Sequence, residues 1–413
     1  MKILFLSQIV PYPPHGGVLQ RGFNIVREIA RNHELHLMAF LHRDILRTDV
    51  EIEYSRQVLG GFCHSVEYFD LWPKRSRLDR LAAIGAGLAL PEPFSVIAHR
   101  SPEFARRIGE MRNERDIDVI HYDTIALARF RRAAPDFASV LTHHNIESQL
   151  MARRAAVERW PACAYLGMQT RKLIAYEAAM SPCFDVNIMM SGLDEQALSK
   201  IAPGVETTVV PNGVDVEYFT PRTESPEAAM IYTGGMNMFA NRDAVMYFVD
   251  RIWPLIKQAR PDARFDIVGQ DPPQELLAKA RKDSGLHIHG YVEDIRPLVG
   301  KAAVYVVPIR VGGGTRLKVL DALAQGKAIV STSVGCEGIR ITGGHDIELA
   351  DDADAFAARV VALLNDPPRR QELGNNARHL AESYYAWGPI VKRLETAYEH
   401  AISKRKGRRE KVE

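Results

Sequence analysis

The 413-residue sequence has only four cysteines, Cys63, Cys163, Cys183 and Cys336. They stand far apart, with no C-x-x-C pair and no histidine at ligand spacing, which excludes a disulfide framework and a zinc knot and points to a reducing compartment. Long apolar runs are missing too. The nearest approach, Leu81 to Leu90, is about half the length that crosses a bilayer. Neither charge is in excess: 53 Lys and Arg stand against 51 Asp and Glu, a formal net charge of +2. The overall balance therefore asks for no polyanion and gives no reason to expect a nucleic-acid partner. The opening MKILFLSQIVPYPPHGG has too short an apolar part for a signal h-region and no small-x-small cleavage site. What is present is a chain that is 46% hydrophobic and 25% charged. That apolar content is enough to offset ordering entropy over more than one core, with two domains expected.

Short apolar runs of strand length alternate with longer segments of helical period, the pattern of a parallel sheet covered on both faces. Strands are expected at Lys2–Ser7, Glu34–Phe40, Ser65–Phe69, Asp118–Tyr122, Ser139–His143, Asp185–Met190 and Thr207–Val210. A second series follows at Ala229–Thr233, Arg264–Gly269, Leu286–Gly290, Ala303–Pro308, Ala328–Ser331 and Asp346–Leu349. The fold class is α/β: two doubly wound, Rossmann-like units, 1–210 and 211–386, with Arg222–Ala228 reading as a linker. Residues 387–402 have apolar side chains at helical spacing (Ile390, Val391, Leu394, Tyr398, Ile402) and suit a helix packing back on the first unit, ahead of a basic tail, 403–413. Doubly wound units bind ligands outside the carboxyl ends of their strands. The unusual residues fall there: Gly16 and Gly17 after the first strand, His143, His144 and Asn145 after the fifth, Gly234 and Gly235 at the start of the second unit, and Gly312, Gly313 and Gly314 later in it.

The strongest local signal is AVYVVPIRVGGGTRLKVLDALAQGKAIVST, residues 303–332. A strand runs into three glycines, Thr315 is placed to cap a helix through Gln325, and another strand follows. The glycines let backbone approach a ligand closely, and a helix N-terminus offers unpaired N–H groups to an anion. Arg316 and Lys318 sit in the first turn, where cations are electrostatically unfavourable unless an anion binds. The spacing is not that of an ATPase phosphate loop. Asp321, in the next turn, suits hydrogen bonds from ribose hydroxyls or, alternatively, an i,i+3 ion pair with Lys318.

These segments resemble a known family. VVPNGVDVEYFTP (209–221), IYTGGMN (231–237), IHGYVEDIRPL (288–298) and PIRVGGGTRLKVLDALAQGKAIVSTSVGCEGI (308–339) look like the C-terminal domain of group 1, family 4 retaining glycosyltransferases. They match in order and spacing. KILFLSQIVPYPPHGGVLQR and LTHHNIES resemble the N-terminal half of the same family. The resemblance implies a GT-B fold, two Rossmann-like domains facing a cleft, with a nucleotide-sugar donor held by the second domain and the acceptor by the first.

Two departures stand out. Family members commonly carry two glutamates eight positions apart, where this chain has Gly313 and Asp321; a subgroup with a GGGTR[LI]K loop is the nearer likeness. The Arg and Lys that many relatives place after the second domain's first strand are replaced by Gly235-Met236-Asn237, so Arg316 and Lys318 become the natural partners of the diphosphate, ahead of Arg242 and Arg310.

The expected donor-binding set is Gly16, Gly17, Gly234, Gly235, Gly312, Gly313, Gly314, Thr315, Asp321 and Glu337, with Arg316, Lys318, His143 and His144 as catalytic candidates; spacing does not say which histidine faces inward. Fixed cations and helix-end amides stabilise a departing diphosphate electrostatically, so neither a metal nor any other cofactor is expected. The expected activity is retaining transfer of a hexose from a nucleoside-diphosphate sugar to a saccharide or lipid-linked saccharide, in surface polysaccharide assembly. A non-catalytic GT-B binding or scaffold protein and a nucleotide-sugar epimerase are the alternatives. Two basic segments, WPKRSRLDRLAAIGAGLAL (72–90) and KRKGRREK (404–411), suit an anionic membrane surface, each nearby cation contributing on the order of 1 kcal/mol. A cytoplasmic enzyme, peripheral on the inner membrane face, is the corresponding expectation.

Overall fold

The computed structural model describes residues 1–14, 17–71, 77–156, 158–222, 228–312 and 316–409. Gly16, Gly313, Gly314 and Thr315, and Trp72, Lys74 and Arg75 of the first basic segment, lie outside them. The chain divides into two compact units, Met1–Pro211 with Ile390–Glu413, and Asn212–Pro389. The change of unit comes at Pro211; of the linker expected at Arg222–Ala228, residues 223–227 lie outside the described residues.

The first unit holds a parallel sheet of β1 (Lys2–Ser7), β2 (Glu34–Leu41), β3 (Ser65–Asp70), β4 (Val119–Tyr122), β5 (Ala138–His143), β6 (Val186–Met189) and β7 (Thr207–Val209), in the order β3-β2-β1-β4-β5-β6-β7. The second holds β8 (Ala229–Thr233), β9 (Arg264–Val268), β10 (Leu286–Gly290), β11 (Val304–Val307), β12 (Ala328–Ser331) and β13 (Glu348–Leu349), in the order β10-β9-β8-β11-β12-β13. Ile3 to Leu6 and Val304 to Val307 are buried along their length, as expected for strands covered on both faces. Each sheet reverses direction once, between β1 and β4 and between β8 and β11. Those are the topological switch points, where such sheets bind ligands.

Amphipathic helices cover the sheets. In the first unit the helix Gly17–Ala30 turns Ile25, Val26 and Ile29 inward. Phe40, Phe69, Phe104 and Phe130 form an aromatic cluster, Phe104 lying 4.6 Å from Phe40 and 4.9 Å from Phe69 between ring centroids; full burial of each such ring is worth about 1.5–3 kcal/mol. Helix starts are marked by side-chain caps, Thr48 with Glu51 forming a reciprocal capping box and Ser101 accepting from Phe104 N.

The C-terminal helix runs Trp387–Arg409, longer than expected, and buries Ile390, Leu394, Tyr398 and Ala401. Tyr398 meets His121 Nδ1 at 2.7 Å, and Glu395 meets His33 at 2.9 Å. The segment read as a free basic tail is helical through Arg409. Lys404 donates to the Asp185 carbonyl, Arg405 to the Asp136 carbonyl, and Arg408 pairs with the buried Asp185 carboxylate at 3.2 Å. Lys404, Arg405 and Arg408 thus tie the helix to the first unit, while residues 410–413 of the basic segment lie outside the described residues. Among the described residues no helix is long and apolar enough to cross a membrane, and all four cysteines are free.

Candidate functional site

In the second unit both glycine-rich turns leave the strands that flank the switch point. β8 ends at Thr233 and passes into Gly234 and Gly235, while β11 passes through Pro308 to Gly312 toward the helix Leu317–Ala324. Gly234 has φ +153°, and a Cβ built on it would lie 2.3 Å from Lys318 Nζ. Gly312 has φ +118°, and its Cβ would lie 2.8 Å from Arg316 Nη2. The two glycines are thus the surfaces on which two cations rest, and a side chain at either would displace one. The helix is capped by Arg316, with no side-chain capping bond, one residue later than the start expected at Thr315.

Lys318 Nζ donates to Tyr232 Oη at 2.9 Å and to Asn241 Oδ1 at 2.8 Å, and lies 4.2 Å from the centre of the Tyr232 ring. Asn241 is held in turn, its Nδ2 donating to the Gly235 carbonyl at 2.9 Å and its Oδ1 accepting from Tyr232 Oη at 2.8 Å. Burial, and then the Arg316 charge, pulls the Lys318 ammonium down to about 7, with Asp321 opposing. Burial pushes the Asp321 carboxyl up to about 7, with Lys318 opposing. The ammonium is bonded to Tyr232 and Asn241, so the alternative i,i+3 ion pair with Asp321 is not formed. Among the remaining candidates, Arg310 is held by Asp243 at 2.7 Å and lies over Tyr247, whereas Arg242 is exposed. Glu337 follows the turn Val334–Cys336 after β12, at the same edge of the sheet, and is partly exposed.

In the first unit Gly17 opens the helix after β1 and is exposed. One turn on, Arg21 is buried and donates to the carbonyls of Val210 and Pro211 at 3.0 and 2.6 Å. Burial brings the guanidinium pKa down to about 10, against the pull of Asp123. Asp123 follows β4 directly and is 1% exposed. His144 follows β5, and its Nε2 lies 3.2 Å from Asp123 Oδ1, an ion-pair approach without hydrogen-bond alignment. Behind them His121, stacked on Phe5, meets Thr142 Oγ1 through Nε2 and Tyr398 through Nδ1; burial pulls it to about 3, so it is neutral.

The two adjacent histidines therefore differ. His143 is the last residue of β5, buried, and its Nε2 lies 3.2 Å from Asn187 Oδ1. Asn187 gives both amide hydrogens to carbonyls, of Ser181 and Glu206, so its oxygen faces His143 and the imidazole donates. Burial lowers His143 to about 4. His144 is the one at the sheet edge, partly exposed and backed by a carboxylate, an arrangement that orients an imidazole for hydrogen bonding or proton exchange. The grouping with metal-ligand character among the described residues, Glu34, His36 and His64, brings its ligand atoms within 4.8 Å of one another. It lies at the amino-terminal ends of β2 and β3, the edge opposite His144.

A family model described as Glycosyltransferase Family 4 matches residues 15–218, and one described as Glycosyl transferases group 1 matches residues 227–366. The chain belongs to the family 4, group 1 glycosyltransferases. Its fold is GT-B, two Rossmann-like domains: it superposes on sucrose-phosphate synthase from Thermosynechococcus elongatus with a TM-score of 0.70 at 16% identity, over 98% of this chain and 100% of that one. Anabaena HepE in complex with UDP superposes with a TM-score of 0.68 at 14% identity, over 97% and 100% of the two chains. An MMP α-(1→4)-mannosyltransferase of Mycolicibacterium hassiacum is 25% identical over 343 residues, 77% of each chain. An uncharacterized 44.6 kDa protein from a cps region of Klebsiella pneumoniae is 23% identical over 163 residues, 38% of this chain; the match spans only 42% of the Klebsiella protein.

Within this glycosyltransferase chain, Asp123, Tyr232 and Asn241 were not marked by sequence. Asp123 carried a weak signal, an acid placed directly after a buried strand next to the switch point. Tyr232 lies in β8 and Asn241 in the helix Phe239–Tyr247, and the fold brings both to Lys318.

Proposed function

We propose that this chain transfers a hexose from a nucleoside-diphosphate sugar to a saccharide or lipid-linked saccharide acceptor, with retention of anomeric configuration, in polysaccharide or glycolipid assembly. The observation that carries this is the convergence of Lys318 and Arg316 on the glycine turns at the second domain's switch point, with the Asp321 carboxyl in the next turn of the same helix. The diphosphate takes the place beside the two cations, within reach of the helix N–H groups, and Asp321 accepts from the ribose hydroxyls. As the glycosidic bond breaks, the fixed cations counter the charge gathering on the leaving diphosphate, a preorganised stabilisation that costs no reorganisation at the moment of reaction and makes a divalent metal unnecessary. The acceptor proton leaves to the departing phosphate, and no strong protein base is required. In the first domain His144, beside the Asp123 carboxylate, orients sugar hydroxyls, and His143 supports β5 against β6.

Names of similar proteins lend support. The Mycolicibacterium relative is a mannosyltransferase, and the HepE structure contains UDP. Peripheral attachment to an anionic membrane belongs to the same proposal, now resting on the helix Arg77–Ala89, which exposes Leu78, Leu81, Ile84 and Leu88 in a segment rich in Arg and Lys.

A panel of UDP-, GDP- and ADP-sugars tests the proposal. One class should raise the melting temperature through linkage, and its nucleoside diphosphate should be released only when an acceptor is added. Conversion of the donor alone would identify an epimerase, and no ligand response would leave a binding module.

A further inference from the structure

Glu34, His36 and His64 gather at the amino-terminal ends of β2 and β3, the edge of the first sheet opposite His144. Glu34 and His36 are alternate residues of β2, so their side chains leave the same face of the strand. His64 directly precedes β3, and its backbone N–H donates to the carbonyl of Leu35, the residue between the other two, at 2.8 Å. Strand pairing therefore fixes all three positions. Glu34 is held further by its own N–H, which donates to the Met1 carbonyl at 3.1 Å.

The three side chains converge on one point. His36 Nε2 lies 3.2 Å from Glu34 Oε1, and His64 Nε2 lies 4.0 Å from that same oxygen. The two imidazoles stand edge to face, with ring centroids 4.9 Å apart. Two charge-assisted hydrogen bonds to one carboxylate oxygen would bring both nitrogens to about 2.7–2.9 Å, and the His64 nitrogen is well beyond that reach. Around a tetrahedral ion with bonds of about 2.0–2.2 Å, by contrast, the ligand atoms stand about 3.3–3.6 Å apart. The observed separations of 3.2 and 4.0 Å fall on either side of that spacing.

His36 also has the support that a ligand needs. It is fully buried, and its Nδ1 meets Ser65 Oγ at 2.8 Å, Ser65 being its partner in the strand register. That contact fixes the ring and turns Nε2 toward Glu34 and His64, as the outer-shell partner of a metal-bound imidazole does. Glu34 and His64 are partly exposed. A cavity of about 320 Å³ opens over both of them, with Gly60 and Gly61 in its wall, and gives an ion its way in.

Two imidazoles and one carboxylate suit zinc, and three protein ligands leave a fourth position for water on the cavity side. Doubly wound sheets bind their substrates at the other edge, so an ion here acts on the fold. We propose that Glu34, His36 and His64 form a zinc site that clamps β3, the outermost strand of the first sheet, to β2. The proposal stands apart from the transferase reading above.

The test uses the full chain, freed of metal with a chelator, and zinc alone as the probe. Titration calorimetry on the wild type should show a zinc site, and saturating zinc should raise the melting temperature through linkage. His64→Ala removes a half-exposed ligand, and Glu34→Gln keeps the size of the side chain while removing its charge. Each should bind zinc weaker by about tenfold or more and should lose the rise in melting temperature. Far-UV circular dichroism matching that of the metal-free wild type reports that a variant has folded, and either variant suffices if the other fails this check. Wild-type zinc affinity in a folded variant, or no zinc-dependent rise in melting temperature for the wild type, overturns the site.

Discussion

Lys318 and Asp321 place two titrations near neutrality in one site, so donor binding should move protons. A sugar nucleotide is the suitable ligand, because its diphosphate diester does not titrate in this range. In the free protein Lys318 is about half protonated at pH 7 and about one-tenth at pH 8, taking the value of about 7. A bound diphosphate favours the ammonium form. Binding at pH 8 should therefore take up about 0.9 proton, and affinity should fall about fivefold from pH 7 to 8 and about tenfold for each further pH unit, about 1.4 kcal/mol per unit. On the acid side the sign reverses. Asp321 is protonated below about 7, a carboxylate accepting ribose hydroxyls is favoured ionised, and binding there releases a proton. The two groups influence each other, so each limb belongs to the pair until a variant separates them. Titration calorimetry at pH 8 in two buffers of different ionisation enthalpy measures the uptake directly, and Asp321→Asn should remove the acid limb alone. No uptake at pH 8, with constant affinity from pH 7 to 9, would refute the placement of the diphosphate beside Lys318.

Gly234→Ala puts a methyl group where Lys318 Nζ now lies and should weaken sugar-nucleotide binding tenfold or more by calorimetry. His144→Ala should lower turnover at least tenfold with donor affinity kept, whereas His143→Ala should cost about 1–3 kcal/mol of stability in denaturant melts by leaving Asn187 Oδ1 without its donor; the reverse pattern would exchange their roles. Truncation after Ser403 removes Lys404, Arg405 and Arg408 from Asp185, Glu206 and Asp136. It should lower the melting temperature and leave vesicle binding unchanged; detachment from vesicles with unchanged melting would restore the tail as an anchor.

The sheets were legible because parallel strands buried on both faces are written as uninterrupted apolar runs, and each expected strand appears within about two residues of its predicted ends. Arg316 and Lys318 stand out in the sequence as well, since cations in a helix's first turn after glycines are out of place without an anion. Their present partners do not. Tyr232 and Asn241 reach Lys318 from β8 and the helix Phe239–Tyr247, a meeting set by tertiary packing rather than by any local period. The difference between His143 and His144 is likewise invisible in sequence, because it depends on which residue is the last to pair with β6. The partners of the basic C-terminus are hidden for the same reason: nothing near it in sequence discloses Asp185 or Glu206, some two hundred residues earlier.

A crystal structure with a bound sugar nucleotide tests the central claim most directly. The diphosphate oxygens should lie within hydrogen-bond distance of Lys318 Nζ and the Arg316 guanidinium, with the ribose on Asp321. A nucleotide bound elsewhere, with Lys318 still engaged only by Tyr232 and Asn241, would contradict it.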